Sequence, residues 1–164
     1  MANPITEGRW HFEDLEVGQS FSLGPATVTA EAIKGFAAEF DPLPFHLDEA
    51  AAKASMLGGL AASGFHTGAL ALRMLVEAML VHAAGMGGLG FEKLSWKRPV
   101  MVGDTLAGTA TISTLRRSAS NPHMGIVELH LEIRNQSGHD VMTMTLNNLV
   151  EIRKPHAPIL GAAP

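Results

Sequence analysis

Residues 41–46 read Asp-Pro-Leu-Pro-Phe-His. A carboxylate and an imidazole, Asp41 and His46, stand five residues apart, and the two prolines between them leave the backbone few conformations. Such a segment aims two side chains at one point with little conformational entropy left to lose. Imidazole titrates near neutral pH and a carboxylate holds or activates water, so the pair suits general acid–base work. Spacing alone favours a plainer reading: a proline-rich connection with an aspartate at a helix C-terminus and a surface histidine.

Residues 61–68, Ala-Ala-Ser-Gly-Phe-His-Thr-Gly, open a long apolar stretch. Small residues at a helix N-terminus let a second molecule approach the free backbone N–H groups. These carry partial positive charge and can polarise a carbonyl oxygen. Here too there is a plainer reading, in which Ser63 or Thr67 caps the helix and the glycines permit close packing. A third segment, RPVMVGDTL at residues 98–106, is a connection bounded by Pro and Gly, and nothing in it demands catalysis. The eight histidines show no ligand spacing such as HExxH, so no metal site is expected.

The elements that must position these residues show in the hydrophobic pattern. Residues 17–28 look like a short strand or hairpin punctuated by Gly and Pro. Thr29 is placed to cap a helix through about Phe40, with Ile33, Phe36, Ala37 and Phe40 on one face. Pro42 and Pro44 should end it and force an extended loop over residues 41–46, after which Asp48 can cap a short helix, DEAAAKAS. Residues 64–84 form the longest helical stretch, ended by GMGGLG at 85–90. Its apolar residues cover nearly every face, so burial on several sides is expected, with Arg73 and Glu77 on one wetter strip.

Beyond that the period becomes two. Leu106, Gly108, Ala110 and Ile112, then Val127, Leu129, Leu131 and Ile133, then Met142, Met144, Leu146, Asn148, Val150 and Ile152 each define one face of a strand. Turns are expected near residues 118–122 and 135–138, and a loose tail after Pro155. One long helix with several antiparallel strands is an α+β design in which the sheet covers the helix.

Composition narrows the class further. A chain of 164 residues is long enough for a single domain with a real core, and the absence of cysteine removes disulfides, thiolate nucleophiles and cysteine-ligated metals. A net charge of −4 with scattered cations leaves no footprint for nucleic acid or an anionic membrane. The N-terminus lacks a basic start followed by an apolar run, so no signal peptide is expected. Residues 56–90, interrupted by His66, Arg73, Glu77 and His82, are expected to fail as a membrane span. A reducing cytoplasm fits best.

Taken together, the three segments are more specific than any one. With Asp41 and His46 in DPLPFHLDEAAA, then GGLAASGFHTGAL, then RPVMVGDTL, the chain resembles the MaoC-like dehydratase family, which includes the (R)-specific enoyl-CoA hydratases. The resemblance runs over about residues 10–153. It implies a hotdog fold, a long central helix wrapped by a curved antiparallel sheet, pairing as a homodimer or a dimer of dimers with acyl-CoA along the subunit interface. It makes Asp41 and His46 the catalytic dyad and the Gly64 N–H the group that binds the thioester oxygen. It also places Ser63, Phe65 and His66 against the substrate, and it requires no metal or other cofactor. Met142 and Met144 are candidates to line an acyl tunnel, and Lys97, Arg98, Arg116 or Arg117 to meet CoA phosphates. The commoner family pattern is D-x-N-P-x-H, with Leu43 here at the Asn position. The His-Gly pair common at the helix start reads Ser63-Gly64, with His66 three residues beyond the usual histidine.

The implied reaction is reversible addition of water to a trans-2-enoyl thioester, giving the (R)-3-hydroxyacyl form. Two other readings keep the fold: a hotdog acyl-CoA thioesterase, and a non-catalytic acyl-CoA-binding protein. The paired Asp and His favour hydration over both.

Overall fold

Alternation in the second half of the chain translates directly into a sheet. In β4 (Met124–Arg134), Val127, Leu129, Leu131 and Ile133 are fully buried, whereas His130 faces out and meets the Thr145 hydroxyl at 3.1 Å. In β5 (Asp140–Glu151), Met142, Met144, Leu146, Asn148 and Val150 are buried, with Ile152 just beyond its end. β3 (Thr105–Arg117) buries Leu106, Ala110 and Ile112. The turns between them fall where expected: Ser118 N–H donates to Met124 O, and Asn135 and His139 close a turn with Gly138 at φ +76°. The computed structural model describes residues 9–154, so the tail beyond Pro155 lies outside the described residues.

Two further strands complete one antiparallel sheet in the order β1-β3-β4-β5-β2. β1 (Ser20–Thr27) pairs with β3, and β2 (Gly85–Trp96) runs along the far side of β5. The segment GMGGLG therefore opens β2 instead of merely ending a helix. Glycine masks the strand signal because it leaves no side chain to alternate, and Gly87 and Gly90 take positive φ at two of the three places where the pairing with β5 slips.

Thr29 accepts a hydrogen bond from Ala32 N–H and caps α1 (Ala30–Phe40), a contact of a kind worth about 1 kcal/mol. Ile33 and Ala37 are buried as expected. Phe40 is exposed and rests on Phe36, because the helix ends at that residue. The loop expected at 41–46 contains a short helix, α2 (Pro44–Leu47), with Pro44 at its first position where the missing N–H costs nothing. Asp48 caps α3 (Glu49–Ala54) by accepting from Ala51 N–H.

The central helix, α4 (Gly64–Ala78), is six residues shorter than the pattern suggests. Met79 leaves helical dihedrals, a 3-10 turn follows at Leu80–His82, and Trp10 then bonds across to His82 O and from Ala84 N–H, pulling the chain straight. Ala71, Met74 and Leu75 turn into the core, in one cluster with Leu106, Ile112, Leu129 and Met144. Phe65, Leu72 and Val76 do not: they are 65%, 40% and 40% exposed, so the sheet covers one side of the helix only. By length and hydropathy alone residues Gly64–His82 would suffice to cross a membrane, but α4 is the core helix of the fold, in line with the expectation that this stretch is not a span. Arg73 and Glu77 do pair, at 2.9 Å on the exposed strip.

The two ends of the described chain are clamped. Arg153 donates to both carboxylate oxygens of Asp14, at 3.1 and 2.6 Å, which holds the Asp14 carboxyl below the usual value of 3.8. A depressed carboxylate pKa adds stability above the ordinary value, lost as pH falls through the depressed one. The stability gap between the wild type and Arg153→Met, read by denaturant midpoint, should therefore be present at pH 6 and close as pH drops below 3.8.

Candidate active site

Asp41 stands at the end of α1 and His46 on α2, so one helix end and one short helix set the dyad. His46 is buried. Its Nδ1 lies 2.7 Å from Ala61 O, and a carbonyl can only accept, so Nδ1 carries the proton. In the neutral ring that leaves the lone pair on Nε2, which faces Asp41 Oδ2 at 3.6 Å. The gap is too long for a direct hydrogen bond, and both facing atoms can accept a proton. Leu43, at the commoner Asn position, is N-cap of α2 without a side-chain cap bond, while its carbonyl accepts from His46 N–H at 2.9 Å. The backbone thus supports His46 whatever residue 43 carries.

Ser63 caps α4, its hydroxyl accepting from Phe65 N–H at 3.3 Å. Gly64 follows at the first helical position, where its N–H has no partner among the described residues. Trp96, at the end of β2, lies flat against this glycine, and its indole N–H donates to Gly64 O at 2.8 Å. A Cβ at residue 64 would sit 2.6–2.9 Å from three Trp96 ring atoms, so only glycine fits. Phe65 meets the other side of Trp96 edge-on at 5.4 Å and is otherwise exposed.

The third segment is a buttress. Ala62 N–H donates to Val100 O and Val102 N–H to Leu60 O, so residues 100–102 run beside the strip that enters α4 and fix the Ala61 carbonyl under His46. Asp104 holds the turn: Oδ2 accepts from Met101 N–H at 2.8 Å and Oδ1 from the Gln136 amide at 2.9 Å, in an 8% exposed site. Asp104→Ala takes the partner from the half-buried Met101 N–H and from the Gln136 amide and should cost about 1–3 kcal/mol, read as a lower denaturant midpoint at unchanged slope.

His46, Gly64, Trp96, Lys97, Arg98 and Val100 border one cleft of about 360 Å³. Asp41 reaches that cleft only across His46. Of the other residues singled out from sequence, Ser63 is a buried cap, Phe65 sits outside on Trp96, and His66 is buried against α1, stacked on Phe36 with ring centroids 4.9 Å apart. Burial pushes the His66 imidazole below its usual pKa. Lys97 and Arg98 stand at the cleft and make no ion pair among the described residues, whereas Arg117 is engaged with Glu13 far along β3. Trp96 escaped sequence reasoning, since a lone aromatic at the end of an unrecognised strand carries no local signal. Among the described residues, no three His, Asp or Glu side chains gather as a metal site needs.

Residues 13–132 match the MaoC like domain, and the chain belongs to that family. A MaoC-like dehydratase from Rhodospirillum rubrum superimposes with a TM-score of 0.78 at 42% identity, over 88% of this chain and 99% of that one. The (R)-hydratase from A. caviae involved in PHA biosynthesis gives 0.69 at 29% identity, over 83% and 97%. The uncharacterized protein YdeM of Bacillus subtilis is 26% identical over 85% of this chain and 97% of its own length. The fold is a hotdog, with α4 held in the antiparallel sheet.

Proposed function

We propose that the protein is a hydro-lyase that adds water to, or removes it from, the 2,3 bond of an acyl-CoA thioester. The observation that carries this reading is the pairing of a tautomer-fixed His46 with Asp41 at 3.6 Å, beside an unpartnered Gly64 N–H at the start of α4. A water bridging Oδ2 and Nε2 gives up one proton to the dyad as its oxygen bonds to C3 of a 2-enoyl thioester. The double-bond electrons move through C2 onto the thioester oxygen, where the Gly64 N–H and the α4 dipole meet the growing charge. The dyad then returns the proton to C2, completing the (R)-3-hydroxyacyl product. Only a proton and a hydroxide move, so the step as written needs no metal or other cofactor. Lys97 and Arg98, without an ion pair among the described residues and at the same cleft, suit the CoA phosphates.

In heavy water, crotonyl-CoA should gain one deuterium at C2 without release of free thiol. Thiol release in place of deuterated product would support hydrolysis of the thioester, and binding without either change would support a non-catalytic acyl-CoA carrier. A cysteine-free chain of this kind suits the cytoplasm.

We further propose that the working unit is a homodimer. One long edge of the sheet, β2, is exposed at ten of its twelve residues, and Phe65, Leu72 and Val76 leave an apolar stripe on α4. Pairing of two β2 edges would satisfy the open backbone and cover that stripe. Light scattering should give twice 17.4 kDa for the wild type and a lower mass for Leu72→Glu combined with Val76→Glu.

A further inference from the structure

His66 is the one buried histidine that the proposed chemistry does not use. It is 6% exposed, and its Nδ1 is wholly buried without a hydrogen-bond partner among the described residues. His46, equally buried, has its Nδ1 matched by the Ala61 carbonyl at 2.7 Å. Native interiors leave few polar atoms orphaned, because each costs about as much as a lost hydrogen bond, so one that lies two residues from Gly64 points to a ligand.

The position says which part of the ligand. Two residues apart on a helix lie about 200° apart around its axis. On the first turn of α4, Gly64 therefore turns to Trp96 and the cleft, while His66 turns to α1 and stacks on Phe36. Phe36 in turn packs on Phe40, the residue before Asp41. A thioester with its phosphates at Lys97 and Arg98, its carbonyl oxygen at Gly64 and its C2–C3 bond at the dyad crosses the N-terminus of α4. The acyl carbons beyond C3 are then directed toward the wall formed by Phe36, Phe40 and His66.

Resting on the hydratase reading, we propose that His66 selects acyl chains carrying a hydroxyl group beyond C3, by hydrogen bonding to that hydroxyl. A neutral imidazole offers one donor and one acceptor, as a hydroxyl does, and the flat Phe36 face on one side of the ring accommodates the carbons next to it. A charged carboxylate fits less well beside the two phenylalanine rings.

The test is binding of saturated thioesters, which cannot react: 4-hydroxybutyryl-CoA against butyryl-CoA, and 5-hydroxyvaleryl-CoA against valeryl-CoA, by calorimetry. In the wild type, one hydroxylated member should bind about tenfold more tightly than its plain counterpart. His66→Leu should bring that ratio to about one without weakening the plain thioester, and His66→Gln, which keeps a donor and an acceptor, should retain part of it. Equal binding of both pairs by the wild type, or an unchanged ratio in a folded His66→Leu protein, overturns the proposal and leaves the hydratase reading intact. Failure of all four thioesters to bind overturns both.

Discussion

Replacing Asp41 with Asn is expected to slow crotonyl-CoA hydration about 10³-fold while the melting temperature stays near that of the wild type. The amide has the size of the carboxylate, and Asp41 is partly solvated with no ion pair beyond His46 among the described residues, so the fold has little to lose. The chemistry loses the charge that holds the water and steadies a protonated imidazole, and positioned acid–base groups contribute about 10²–10⁴-fold. His46→Gln should cost a similar factor, and the double variant hardly more than either, because the two act on one water as a unit. A folded Asp41→Asn protein with wild-type kcat would mean that the dyad has been misassigned.

Gly64→Ala is expected to lower kcat about 10²-fold, the scale found when one donor of an oxyanion site is lost. The variant keeps the N–H, so the effect comes from position. The new methyl meets the Trp96 ring at 2.6–2.9 Å, and either the indole swings out, breaking its bond to Gly64 O, or the helix start shifts. A shift of that size is enough to misplace the thioester oxygen against the dyad. Because Gly64 lies at a helix terminus with ordinary φ, alanine brings no backbone strain that would confuse the result. Kinetics separate the outcomes: a fall in kcat at nearly unchanged KM supports the oxygen-binding role, and a rise in KM alone would assign Gly64 to binding only.

The parts of this molecule legible in sequence are those where one residue type repeats against one environment. The faces of β3, β4 and β5 are legible because a half-buried strand leaves a period of two, although Gly108 is only half-buried and Ile126 and Val141 are buried off those faces. Thr29 and Asp48 are read because a cap is a local contact three residues long. β2 escapes because its glycines carry no pattern, and with it escapes Trp96, which shapes the Gly64 site from 32 residues away. The end of α4 is misjudged because it is set by Trp10, through backbone bonds that no helical periodicity registers. At the site, the spacing of Asp41 and His46 shows that they can meet. That Ala61 O fixes the tautomer, and that residues 100–102 hold Ala61 in place, depends on strands brought together only by folding. The plain reading of RPVMVGDTL as a structural turn is the right physical account, and its connection to the chemistry runs through Asp104 and the entry to α4.

The central claim is tested most directly by incubating the protein with crotonyl-CoA and longer 2-enoyl-CoAs, following loss of the enoyl thioester absorbance, and resolving the product on a chiral column. Turnover of at least one member to the (R)-3-hydroxyacyl-CoA, with the thioester intact, is the expected result. A folded dimer that leaves the whole panel unchanged, or yields the (S) product, would contradict it.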